Sequence, residues 1–94
     1  MPNEILNEEA PVMGPYGMMA ERHWREFLPE LVRKLEAENR LEEALIEAQE
    51  RTIDEMIETT ARLRKQGLDP QQAQNTAWEM IREQYILLPP ESED

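Results

Sequence analysis

The sequence has no cysteine, one histidine and one serine, and aromatic residues make up only 5% of its 94 positions. Without thiols there are no disulfides and no thiolate metal sites. The lone imidazole, His23, cannot supply the ligand set of a histidine-built metal centre. The lone serine, Ser92, lies in the final charged stretch, far from any nucleophile elbow. Three glycines are too few and too scattered for a phosphate-cradling or dinucleotide-binding loop. No run approaches the roughly 18 apolar residues that a membrane helix requires. The opening Met-Pro-Asn-Glu-Ile-Leu-Asn-Glu-Glu has neither the basic nor the apolar region of a secretory signal, so cytoplasmic residence is expected. No catalytic residue, metal or cofactor is expected, and an enzyme would have to be assembled from Glu, Tyr and Arg alone.

What the chain does have is charge and helical periodicity. Charged residues are 33% of the sequence, hydrophobic residues 39%, and the net charge is -11. Binding a nucleic-acid backbone requires an excess of Lys and Arg, so this balance argues against it. The charge is unevenly placed. Residues 1–14 hold Glu4, Glu8 and Glu9 with no base, and residues 89–94 hold Glu91, Glu93 and Asp94. More than half of the net charge therefore lies in the end segments, and the body is only mildly acidic.

Pro2, Pro11 and Gly14 and a lack of periodicity mark residues 1–14 as a flexible arm, with Pro15-Tyr16-Gly17 as a turn into structure. A first helix is predicted from about Met18 to Glu38, on the spacing of Trp24, Phe27/Leu28, Leu31, Val32 and Leu35. Pro29 removes a backbone donor and crowds the preceding turn, so this helix is expected to kink or break near Phe27-Leu28, and Asn39 to end it. The second helix is predicted from Leu41 to Gln66, with a stripe of Leu41, Leu45, Ala48, Thr52, Ile53, Met56, Thr60 and Leu63. Three Glu–Arg spacings of four (Glu36–Arg40, Glu47–Arg51, Glu58–Arg62) support it, and Gly67 supplies the stop. The third helix opens on Asp69-Pro70-Gln71-Gln72, a capping-box pattern with proline in the first turn. Its stripe is Ala73, Ala77, Met80/Ile81 and Leu88, joined by Trp78 and Tyr85, and Pro89-Pro90 ends it.

Few residues carry a candidate role. His23 with Glu26 lacks the partners of a metal or acid–base site, and a surface position beside Trp24 is the expectation. Glu43, Glu47, Glu50, Asp54 and Glu58 form an acidic ridge, which reads either as a phosphate-array mimic or as a solvated helix face. Trp24 and Trp78 are either interface anchors or staples joining the first and third helices. Met13, Met18 and Met19 beside Tyr16 form a soft apolar cluster. Tyr16, Met18, Met19, Trp24, Trp78 and Tyr85 are thus the candidate interaction residues.

Gly14-Pro15-Tyr16-Gly17, followed by an Arg-rich helix with Leu31 and Leu35, resembles the start of the TnpV family of small transposon-encoded proteins. The stretch Leu41–Ile57 (LEEALIEAQERTIDEMI) resembles that family's central helix, including an Ala-x-Glu-Arg element. Ala77–Pro89 (AWEMIREQYILLP) is similar to its closing helix and tail. The chain departs from the pattern in a shorter second-to-third connection, greater acidity and no small-residue turn near Asn39. The resemblance implies an accessory role on a mobile element and carries no catalytic motif.

The expected fold is all-α: a three-helix antiparallel bundle over residues 15–88, its first helix kinked or broken, flanked by acidic tails. The long stripe of the second helix exceeds what the shorter helices can cover, so a homodimer is expected. The expected function is a non-enzymatic helical protein-interaction module with a protein partner. The alternative is an acidic inhibitor (a nucleic-acid mimic, antirestriction protein or antitoxin) of a basic partner.

Overall fold

The computed structural model describes residues 12–91, so most of the arm expected over 1–14 and the last three residues of the acidic tail lie outside it. The described residues are all helical or connecting, and they form four helices, not three. These are α1 (Pro15–Phe27), α2 (Pro29–Ala37), α3 (Leu41–Lys65) and α4 (Pro70–Tyr85). The extra element arises at Pro29. A residue before proline is pushed out of the helical region, and Leu28 stands at φ -131 and ψ 57. The first expected helix is therefore divided into α1 and α2.

The other boundaries follow from local chemistry. Pro15 suits a first helical position, so α1 begins three residues before the expected start, with Gly14 as its N-cap. Asn39, with φ 60, stops α2. The Arg40 amide then donates to the Leu35 carbonyl at 2.8 Å. Gly67, with φ 111, stops α3 in the same manner, and Leu68 N–H reaches the Leu63 carbonyl at 3.2 Å. The capping box of α4 is formed: Gln72 N–H donates to Asp69 Oδ1 at 2.8 Å, and Asp69 N–H to Gln72 Oε1 at 3.4 Å.

α3 is the spine. The tight turn after Gly67 folds α4 back along the C-terminal half of α3, where Met56, Leu63, Ala73, Ala77 and Ile81 form one core cluster. α1 runs back along the other half, with Gly14 and Gly17 at Gln49 and Trp24 near Ala44 and Ala48. Ala20, Trp24, Leu28, Val32, Leu45, Ala48 and Ile86 form the second cluster. Tyr16, Trp78 and Tyr85 pack against both clusters and join them.

Two defects at the helix ends are repaired from far along the chain. α1 has no side-chain cap of its own. Instead the buried Gln49 amide of α3 accepts from Gly14 N–H at 2.6 Å and Gly17 N–H at 3.1 Å, and donates to the Val12 carbonyl at 2.8 Å. This satisfies donors that a helix N-terminus otherwise leaves unpaired. Gly17 has no side chain because none fits: a Cβ there would lie 2.5 Å from Met13 Cγ and 3.0 Å from Gln49 Oε1.

The second defect is the Leu28 break, and residues 86–91 close it as a strap. Trp24 Nε1–H donates to the Ile86 carbonyl at 3.0 Å, and His23 Nε2–H to the Leu88 carbonyl at 2.7 Å. Glu91 then serves both sides of the break. Its amide donates to the Phe27 carbonyl at 3.0 Å, while its carboxylate accepts from Glu30 N–H at 3.0 Å and Leu31 N–H at 2.8 Å. A carboxylate at a helix N-terminus is favoured by both hydrogen bonding and the helix dipole. The acidic tail expected from Pro89 thus has its first acid seated on α2.

The surface charges pair locally. Of the three expected Glu–Arg pairs, Glu47–Arg51 forms at 3.3 Å. Glu36 and Arg40 are separated by the Asn39 turn, and Glu36 instead meets Arg25 at 3.2 Å, alongside Glu21 at 2.9 Å. These two carboxylates, Glu21 foremost, hold the Arg25 guanidinium above its ordinary pKa. Such exposed pairs add little stability individually.

Candidate interaction surface

The α3 residues that turn inward are Leu45, Ala48, Gln49, Thr52, Met56, Thr59 and Leu63. Ile53, expected in the core stripe, is instead 40% exposed, because the buried arc is centred on Thr52 and Met56. Ile57, one turn further on, is 66% exposed. Two large aliphatic side chains four residues apart therefore stand outward on the longest helix, on the same face. Beside them lies a cleft of about 470 Å³ whose walls include Tyr16, Ile53, Met56, Ile57, Thr60 and Gln74. Ala61 and Arg64 continue the stripe toward the end of α3.

The six residues expected to carry an interaction are not gathered into one patch. Trp24 is buried in the core, with its indole N–H committed to Ile86. Tyr16 and Trp78 are half-buried and stacked, their ring centroids 5.4 Å apart at 20°, and Tyr16 alone of the six lines the cleft beside Ile57. Tyr85 is half-buried, and its hydroxyl donates to Glu55 Oε2 at 3.4 Å. Met18 and Met19 are exposed on α1. The stack joins α1 to α4, so the aromatic link between these helices is made by Tyr16 with Trp78, and Trp24 reaches the strap.

His23 is held in the strap and stacks at a tilt on Phe27, with ring centroids 4.8 Å apart. Among the described residues, no three His, Cys, Asp or Glu side chains come together as a metal ligand set. A larger cleft of about 750 Å³ lies between α1, the Asn39 turn and the start of α3. Its walls mix charged side chains, of which Glu21, Arg25 and Glu36 are already paired, with Met13, Leu41, Leu45 and Ile46. The acidic ridge Glu43, Glu47, Glu50, Asp54 and Glu58 is exposed throughout. Among the described residues, no helix is long and apolar enough to cross a membrane.

Compared with protein-family models, curated proteins and solved structures, the chain matches none.

Proposed function

We propose that this chain is a non-enzymatic helical protein-interaction module, and that its contact surface is the outward stripe of α3 with the adjoining cleft. The observation that carries this reading is the exposure of Ile53 and Ile57 side by side over an apolar cleft. The opposite side of the same helix is core, so much of both isoleucine side chains is left to solvent. Apolar side chains gathered beside a concave surface are the usual raw material of a binding hot spot. The partner is a protein, since a chain of net charge -11 repels a phosphate backbone. An accessory role on a mobile element is the setting that the TnpV resemblance implies.

The test is affinity capture from the source lysate at high salt, comparing the intact protein with Ile57→Arg. A protein retained by the first and lost by the second supports the reading. Identical capture by both overturns it.

The continuous exposure of the acidic ridge favours a second reading, an acidic inhibitor of a basic partner. That reading requires capture that disappears at high salt and is indifferent to Ile57→Arg.

A further inference from the structure

The outward face of α3 sets unlike, complementary residues at equal spacings to either side of Ile57. At about 100° per residue, Ile53 and Ala61 sit about 40° to either side of Ile57, and Glu50 and Arg64 about 20° to either side. Along the axis the first pair lies roughly 6 Å from Ile57 and the second roughly 10.5 Å. A large side chain therefore mirrors a small one, and an acid mirrors a base. We propose that the partner of this surface is a second copy of the chain, docked antiparallel through α3 about a two-fold axis at Ile57. This assignment rests on the interaction-surface reading above.

That spacing holds about any helical residue; what suits an isologous interface here is the complementary residue types, since residue i must meet residue j while j meets i. Ile57 meets its own equivalent at the axis. Ile53 of the copy fits against the small Thr60 and Ala61 at the edge of the cleft. Glu50 of each copy faces Arg64 of the other, and neither residue makes an ion pair within its own chain among the described residues. The charge along the whole helix selects the antiparallel arrangement. Before Ile57 the helix carries Glu42, Glu43, Glu47, Glu50, Asp54 and Glu55 against Arg51, and after it Arg62, Arg64 and Lys65 against Glu58. A parallel pairing sets like charge against like, whereas an antiparallel one sets acid against base and opposes the helix dipoles.

The absence of cysteine makes the register measurable, because an introduced thiol has no native competitor. Under mild oxidation with diamide, Ile57→Cys is expected to form a covalent dimer. Ile53→Cys alone and Ala61→Cys alone are expected to stay unlinked, because like positions lie roughly 12 Å apart along the axis. An equimolar mixture of those two variants is expected to link. In sedimentation equilibrium the intact protein is a dimer, and Ile57→Arg weakens it at least tenfold. Glu50→Arg and Arg64→Glu each weaken association, and the two together restore it. Circular dichroism checks that each variant is folded, which the exposure of these positions favours.

A monomeric intact protein at about 100 µM overturns the proposal. So does cross-linking of Ile53→Cys to itself as readily as Ile57→Cys. If the protein is monomeric and Ile57→Arg still abolishes capture of a different protein, the two-fold dimer falls and the interaction-module reading stands. If Ile57→Arg changes neither association nor capture, both fall.

Discussion

Replacing Gln49 by Leu tests whether a side chain from the middle of α3 holds the start of α1. Gln49 is 6% exposed and makes three hydrogen bonds, to Gly14 N–H, Gly17 N–H and the Val12 carbonyl. Leucine is of similar size but can make none of them. Gly17 is buried, so its stranded N–H costs about 1–3 kcal/mol. Gly14 and Val12 are closer to solvent and can turn to water, which limits their loss to about 0.5–1.5 kcal/mol each. The expected total is about 3 kcal/mol, or a fall in Tm of roughly 15 °C for a domain of this size. Urea denaturation followed by far-UV circular dichroism measures it. Gln49→Glu is the informative companion, because a carboxylate keeps the acceptor for both amides but sets a second oxygen against the Val12 carbonyl and buries a charge. It is expected to be less stable than the parent while ionised and to approach it when protonated, since the acid then donates to Val12 again. A leucine variant within about 0.5 kcal/mol of the parent, or a glutamate variant whose stability does not recover on protonation, refutes the assignment of the cap to this side chain.

Gly17→Ala should destabilise by about 1–3 kcal/mol in the same assay, through contact with Met13 and Gln49. The sign is the test, since Gly→Ala within a helix ordinarily stabilises by about 1 kcal/mol. Glu91→Ala should cost about 1 kcal/mol and speed amide hydrogen exchange at Glu30 and Leu31 while leaving α4 amides unchanged. Trp24→Phe should cost about 1–3 kcal/mol by leaving the Ile86 carbonyl unpaired, read by the remaining fluorescence of Trp78 during unfolding.

What could be read from the sequence is what is local. The Asn39 and Gly67 stops, the Asp69–Gln72 box and the trouble at Pro29 are each written within a few residues. All appear near their expected positions, and of the kink or break expected near Phe27-Leu28 it is the break that forms. What depends on contact between distant residues was not legible. Gln49 and Glu91 look like ordinary polar positions until folding brings them to Gly17 and Leu31. The exposure of Ile53 was hidden for a related reason: a 25-residue helix with apolar residues over a wide arc does not announce which part of that arc its neighbours cover. Ile57 carried a usable signal, sitting four residues after Ile53 and four before Ala61, but it lay outside the expected core stripe. Trp24, Trp78 and Tyr85 stand out in the sequence by residue type, and type alone does not distinguish an anchor from a joint between two clusters.

The strap also bears on the order in which the molecule is made. α1 and α2 leave the ribosome first, yet neither is complete by itself. The start of α1 waits for Gln49, and the junction between the helices waits for Glu91. A nascent chain that has not yet reached residue 49 therefore holds α1 uncapped, and α2 stays uncapped until residue 91, each helix being below the length that is stable alone in water. Although domains generally fold from the amino end as they emerge, vectorial synthesis brings this protein no early reward. The junction at Leu28 is the part that waits longest, since it closes only when Glu91 reaches it.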